Sequence, residues 1–158
     1  MQTDTVTIVE KSLSENEISE LETIELLFFA YRDFIADADR VLEKLAFGRA
    51  HHRVLYFVNR KPGLMVAELL DLLGITKQSL ARVLKQLINS GYIVQMTGAS
   101  DRRQRLLYPT QNGRELILRL SLPQSRRIEN ALTSVGKTSD SSIKRFLRQM
   151  TDSADTSK

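Results

Sequence analysis

The chain contains no cysteine. That excludes disulfides, thiolate metal sites and thiol-based sensing of oxidants. Histidine is nearly absent as well, with only His51 and His52. Adjacent side chains on a helix point in different directions, so the pair does not chelate one ion together. No zinc site, other metal or cofactor is expected, and the two histidines read as surface or domain-packing residues. There is no Gly-rich phosphate loop and no nucleophile paired with a base, so an enzyme is not expected. Long apolar runs are missing too. The longest, LLFFAY from Leu26 to Tyr31, is far short of the roughly 20 residues a membrane span needs. With no signal peptide in view, the expectation is a soluble cytoplasmic protein without a membrane partner. One further absence is local: no Asp or Glu occurs between Asp71 and Asp101.

That gap belongs to an uneven charge distribution. Residues 1–47 hold 4 Lys/Arg against 11 Asp/Glu, residues 48–105 hold 10 against 3, and residues 106–158 hold 9 against 5. The net charge of +4 therefore hides an acidic first third and a basic middle. Such a concentration of positive charge suits a polyanionic partner. At 158 residues the chain is long enough for one domain with its own core.

The basic middle has a helix-turn-helix pattern. Val66, Leu69, Leu70 and Leu73 fall at i, i+3, i+4 and i+7 and make one apolar stripe. Gly74 follows, where a left-handed cap is easiest without a Cβ. Thr76 stands at the N-cap of a second helix. Leu80, Val83, Leu84, Leu87 and Ile88 form its buried stripe, and Gly91 ends it. The opposite face carries Lys77, Gln78, Ser79, Arg82, Lys85 and Asn89. Gln78, Arg82, Lys85 and Asn89 share one side, and all are types that hydrogen-bond base edges or phosphates. An ordinary solvated helix face is the bland alternative, but such a face usually mixes in acids.

A hairpin follows. Tyr92–Val94 and Leu106–Tyr108 read as paired strands, with QMTGASDRRQR between them. Gly98, Ser100 and Asp101 are turn formers. Arg102, Arg103 and Arg105 make the tip cationic, suited to phosphates or a narrow minor groove. Asp101 is expected to structure this wing by holding an arginine through a charge-assisted contact.

The stretch LLDLLGITKQSLARVLKQLINSGYI followed by DRRQRLLYPTQNG resembles the MarR family of bacterial transcription regulators. The wing signature of that family is similar to Asp-Arg-Arg, five variable positions, Leu-Thr, two more and then Gly. Asp101, Arg102, Arg103, Thr110 and Gly113 match it. Pro109 stands where the family usually has Leu, a departure expected to alter only the strand-to-helix junction. The resemblance is strongest from Gly48 to Gly113.

Around this module the pattern is helical. Residues 1–17 are polar and aperiodic, which reads as a mobile arm. A long helix follows within 18–47, with Leu21, Ile24, Phe28, Tyr31, Ile35, Ala38, Leu42 and Leu45 in one line and Leu27, Phe34 and Val41 in another. Two lines are too wide for one contact, so one side is expected to pack on a second copy. A solitary core helix is the alternative. Gly48 is expected to break this helix, and a shorter one with Val54, Leu55 and Val58 ends near Lys61-Pro62-Gly63. After the wing module (48–113), Thr110 caps a helix that Pro123 should kink or interrupt. A linker from Gly136 to Ser142 leads to a final helix with Ile143, Phe146, Leu147 and Met150. Residues 114–150 are the C-terminal dimerisation helices of this scheme, and 151–158 a frayed tail.

The expected fold is mainly α with a small β-hairpin wing: a winged helix-turn-helix domain flanked by N- and C-terminal dimerisation helices. The resemblance implies a triangular homodimer with intertwined terminal helices, acting as a transcriptional regulator, expected to be a repressor, on double-stranded DNA. Two recognition helices would enter successive major grooves of a pseudo-palindromic operator, roughly 34 Å apart. Thr76 caps the reading helix; Lys77, Gln78, Ser79 and Arg82 are the candidates for base edges, and Lys85, Arg102, Arg103 and Arg105 for phosphate or minor groove. The resemblance also implies control by a small aromatic or anionic ligand, for which Phe28, Phe29, Tyr31, Arg32, Phe47, His51 and Phe57 are candidates. Plain core packing accounts for the same side chains and is the commoner reason for aromatics at helical spacing. The rival reading is a winged-helix adaptor that binds protein instead of DNA.

Overall fold

The structure is a computed structural model, and it describes residues 7–136 and 140–152. The chain divides into two compact units, residues 1–34 and 35–158.

The described part of the first unit starts without regular structure. The Ser14 N–H and hydroxyl both donate to Glu17 Oε2, at 3.1 and 2.9 Å. Helix α1 (Leu21–Glu43) then begins. In this unit Leu26, Phe28 and Tyr31 are exposed, Phe28 to 70%. Arg32 pairs with Asp33 at 2.8 Å and lies 4.9 Å from the centroid of the Phe29 ring.

The end of α1 lies in the second unit. It stops at Glu43, short of Gly48, which is a correction to the sequence reading. Phe47 N–H reaches back to Leu42 O at 2.9 Å and Ala46 N–H to Glu43 O at 3.0 Å. This is the paired hydrogen-bond arrangement that closes a helix with one left-handed residue. Here that residue is Ala46, with φ +56°. Gly48 is extended and opens the next helix instead.

The second unit continues with α2 (Arg49–Arg60), β1 (Leu64–Met65), α3 (Val66–Leu73), α4 (Lys77–Asn89), β2 (Ile93–Thr97), β3 (Arg105–Pro109), α5 (Gln111–Val135) and α6 (Asp140–Gln149). The sheet is antiparallel with order β1-β3-β2. β1 was not expected. It is two residues long and exists because Leu64 and Met65 pair with Leu107 and Leu106 of β3. One core joins these elements: Leu42 of α1, Val54, Leu55 and Val58 of α2, Leu69 of α3, Leu80 and Leu87 of α4, Leu107 of β3 and Leu120 of α5 are all essentially sealed from solvent. Each such side chain contributes about 1.5–3 kcal/mol by leaving water.

Two other expectations shift. α5 runs through Pro123 without interruption. Proline removes one intrahelical bond and crowds one carbonyl, and the turns before it are anchored by buried Leu116, Ile117 and Leu120. α6 starts at Asp140, inside the segment read as linker. Of the expected arm, linker and tail, residues 1–6, 137–139 and 153–158 lie outside the described residues. Among the described residues no helix is long and apolar enough to cross a membrane.

Candidate nucleic-acid interface

Thr76 caps α4 in extended backbone. Its hydroxyl oxygen accepts the Ser79 N–H at 3.1 Å and its O–H donates to Ser79 Oγ at 3.0 Å. Leu80, Val83, Leu84 and Leu87 are buried below the helix. One residue per 100° then turns Lys77, Gln78, Arg82 and Lys85 to the surface, and all four are exposed. Ser79 is half-buried and shares in the cap. Asn89 is exposed on the same side.

The wing is shorter at its tip than the sequence reading allowed. β2 extends to Thr97, and Arg105 lies on β3 opposite Thr97, not in the loop. Only Arg102 and Arg103 of the three arginines stand at the tip. Gly98 N–H donates to Gln104 O at 3.0 Å, and Gln104 N–H to Asp101 O at 3.1 Å. Asp101 does structure this loop, but through the backbone: its Oδ1 accepts the Arg103 N–H at 2.9 Å. No ion pair between Asp101 and an arginine occurs among the described residues, which corrects the charge-assisted contact expected. A carboxylate two residues before a free N–H closes a local turn without ordering a long side chain. Gly98 is required here, since a Cβ would sit 2.7 Å from Asp101 O.

Between α3, α4 and the hairpin lies a groove of about 600 Å³. Val66, Leu70, Leu84 and Ile88 give it an apolar lining, and Lys77, Lys85 and Arg105 are on its walls with Asn89 and Gln95. Lys77 and Lys85 thus stand on the wing side of α4, while Gln78 and Arg82 are exposed and do not line the groove. Gln95 was read as loop. It sits on β2 opposite Leu107, and only the pairing register could have revealed it.

The second half of the signature is a clasp behind the reading helix. Thr110 N–H donates to Tyr92 O at 3.1 Å. The Thr110 hydroxyl donates to Gly91 O at 2.6 Å and accepts from Gly113 N–H at 3.1 Å. A Cβ on Gly113 would come within 2.0 Å of Tyr92 O. Pro109 ends β3 opposite Ile93, so the departure falls at the junction and leaves these bonds in place.

Of the candidate ligand-pocket residues, Phe47 and His51 are brought together, stacked at 4.6 Å with rings 13° apart. Phe57 meets Tyr56 edge-on at 5.4 Å. Phe28, Tyr31 and Arg32 belong to the first unit and are exposed. His51 is buried and hydrogen-bonded at both nitrogens, to the Gly48 N–H at 3.0 Å and to Gln86 Oε1 at 2.6 Å. Neither bond was foreseen. A histidine three residues after an N-cap is the position where Glu or Gln closes a capping box, and that is the one signal that could have found the first. Burial lowers the His52 imidazole below its ordinary range, with Asp39 opposing. Among the described residues no group of three or more metal-ligating side chains is found.

The cations of this face are left without carboxylates among the described residues. Arg32, Arg40, Arg49, Lys61, Arg127 and Lys144 each pair with a carboxylate. Among the described residues Lys77, Arg82, Lys85, Arg102, Arg103 and Arg105 have no such partner. A recognition helix with a cationic hairpin beside it is the geometry of a DNA reader.

Comparison with known proteins agrees. A family model described as MarR family matches residues 47–104. The chain is 44% identical over 131 residues to the HTH-type transcriptional regulator PetP of Rhodobacter capsulatus, covering 83% of this chain and 79% of that one. Among solved structures it is similar to MarR itself, with TM-score 0.59 and 25% identity over 84% of this chain and 95% of that one. It also shares its fold with FabT of Streptococcus pneumoniae, solved in complex with DNA, with TM-score 0.70 and 16% identity over 82% of this chain and 92% of the other. On the sequence match and the winged-helix geometry together, the chain belongs to the MarR family of DNA-binding transcriptional regulators and is not an enzyme.

Proposed function

We propose that this regulator acts as a homodimeric repressor on a pseudo-palindromic operator. The observation that carries the reading is the set of unpaired cations around α4 and the wing. Lys77, Gln78, Ser79 and Arg82, near the α4 N-terminus, read base edges. Lys85, Arg102, Arg103 and Arg105 hold phosphates or the minor groove. Two copies would present their α4 helices to major grooves about one turn, roughly 34 Å, apart. Dimerisation is supported by the apolar faces left open in each unit: Ile143, Phe146 and Leu147 on α6 with Met150 just after it, and Leu26 and Phe28 on the first part of α1. A small aromatic or anionic effector would release DNA by preferring one dimer geometry over the other. Exposed Phe28 and Tyr31 beside Arg32 favour such a ligand at α1, whereas Phe47 and His51 are engaged with each other.

The test is fluorescence anisotropy on the DNA upstream of the protein's own gene and on a scrambled duplex, each at two salt concentrations. Selective binding that weakens steeply with salt is expected. Absence of binding to either duplex at low salt would overturn the reading.

A further inference from the structure

His51 spans two elements that the helix-turn-helix pattern treats as separate. It sits in the first turn of α2, and only 9% of its surface is exposed. Its Nδ1 lies 3.0 Å from the Gly48 N–H. A backbone N–H can only donate, so Nδ1 is the acceptor and carries no proton. In the neutral ring the proton is then on Nε2. That nitrogen lies 2.6 Å from Gln86 Oε1 of α4, so it donates to the amide oxygen. The backbone thus sets the tautomer, and the tautomer sets the direction of the bond to α4. Phe47 stacks on one side of the ring, and Tyr92, just beyond α4, meets Phe47 edge-on at 5.7 Å.

We propose that His51 is a positioning residue that fixes the register and tilt of α4 against α2 through Gln86. Gln86 lies on the flank of α4, one residue from Lys85 and four from Arg82. A helix anchored there cannot rotate about its axis without breaking the bond, and rotation is the motion that would misplace Gln78 and Arg82. The Gly48 contact needs Nδ1 without a proton, whereas Nε2 donates to Gln86. An imidazolium would place an Nδ1–H against the Gly48 N–H, donor against donor. The hydrogen-bonding and stacking partners of the ring, namely Gly48, Gln86 and Phe47, are all uncharged. On its own helix the nearby titratable groups are Arg49, paired with Asp39 at 3.2 Å, and His52.

This inference rests on α4 being the operator-reading helix, and the test separates the two. Wild type, H51N, Q86M, the H51N/Q86M double variant and the control H52Q are compared by anisotropy on operator and scrambled duplexes at about pH 8, above the ordinary histidine range. Asn keeps an acceptor for the Gly48 N–H and cannot reach Gln86; Met keeps the bulk of Gln86 without its oxygen. Each single variant should lose about fivefold in operator affinity at pH 8, the worth of one hydrogen bond. The double variant should lose no more than either single one, because one bond is removed in all three. Scrambled-duplex binding should not change. H52Q should bind both duplexes as wild type does. Additive losses, or wild-type operator affinity in H51N, would overturn the proposal. If wild type does not distinguish operator from scrambled DNA, the operator-reading role of α4 is what fails. The tautomer is then still decided by long-range 1H–15N spectra of the free protein: Nε2–H supports the anchor, and Nδ1–H overturns it.

Discussion

Helix α1 and the reading module use cations in opposite ways. Arg32 and Arg40 on α1 sit within reach of Asp33 and Asp37. Arg49, at the start of α2, is matched by Asp39 of the same long helix. Between Asp71 and Asp101 the sequence supplies no acid, and Lys77, Arg82 and Lys85 have no carboxylate partner among the described residues. Surface ion pairs are worth only about 0–1 kcal/mol, so this contrast has little to do with stability. What differs is availability. A paired arginine must first be released before it can meet a phosphate, whereas Arg82, Arg102 and Arg103 meet it with nothing to break. The same residue type is therefore tied internally in one region and left available in the other.

That contrast can be tested from both sides. The largest expected effect is on the frame that holds the reading helix. Gly113→Ala forces a Cβ against Tyr92 O and should lower stability by about 3 kcal/mol, within the range of severe overpacking; a thermal melt within error of wild type would show that the clasp is softer than its geometry. Next comes recognition. Arg82→Ala should cost about 2 kcal/mol in operator binding and relax one base position, with the melting temperature nearly unchanged. A uniform loss on every duplex would reassign Arg82 to phosphate. Ala46→Gly, at the left-handed end of α1, should raise stability by about 1 kcal/mol, read from urea unfolding, and leave DNA affinity alone. Arg49→Ala should lower stability by about 0.5 kcal/mol, a small figure because the pair is largely solvated, again without touching DNA affinity. A sizeable loss of binding in that variant would erase the distinction between paired and unpaired cations. The smallest effect concerns His52. Its folded-state value is depressed by burial, so the unfolded chain takes up a proton first. Stability should then fall as pH drops below the ordinary histidine value near 6.5, and His52→Gln should flatten that slope in melts between about pH 5 and 8.

The reading helix was legible because several signals coincide there. Thr76 is a cap residue, the apolar spacing is that of a helix, and Gly91 follows the last turn. The wing was legible as a pair of strands, but its length was not. Gln95, Met96 and Thr97 look like loop residues until Leu107, Leu106 and Arg105 are placed opposite them. β1 was invisible for a related reason, since two residues carry no periodicity and their pairing partner lies more than forty positions away. The end of α1 misled because alanine occupies a conformation that usually advertises itself as glycine. His51 was judged by how many metal ligands surrounded it, and its actual partner, 35 residues distant, leaves no trace in local sequence.

The Thr110 clasp has a mechanical consequence. It ties the start of α5 to the residues that end α4, within one hydrogen-bonded knot. α5 is 25 residues long, a rod of about 37 Å at the rise of an α-helix. Its first turns are fixed in the core by Leu116, Ile117 and Leu120, so the lever is the stretch beyond Leu120, about 22 Å long. Tilting that stretch by about 10° moves its end by about 4 Å, most of one helical turn. Read in reverse, a displacement of a few ångströms imposed far along α5 arrives at the recognition helix as a small rotation, geared down through the knot at Thr110.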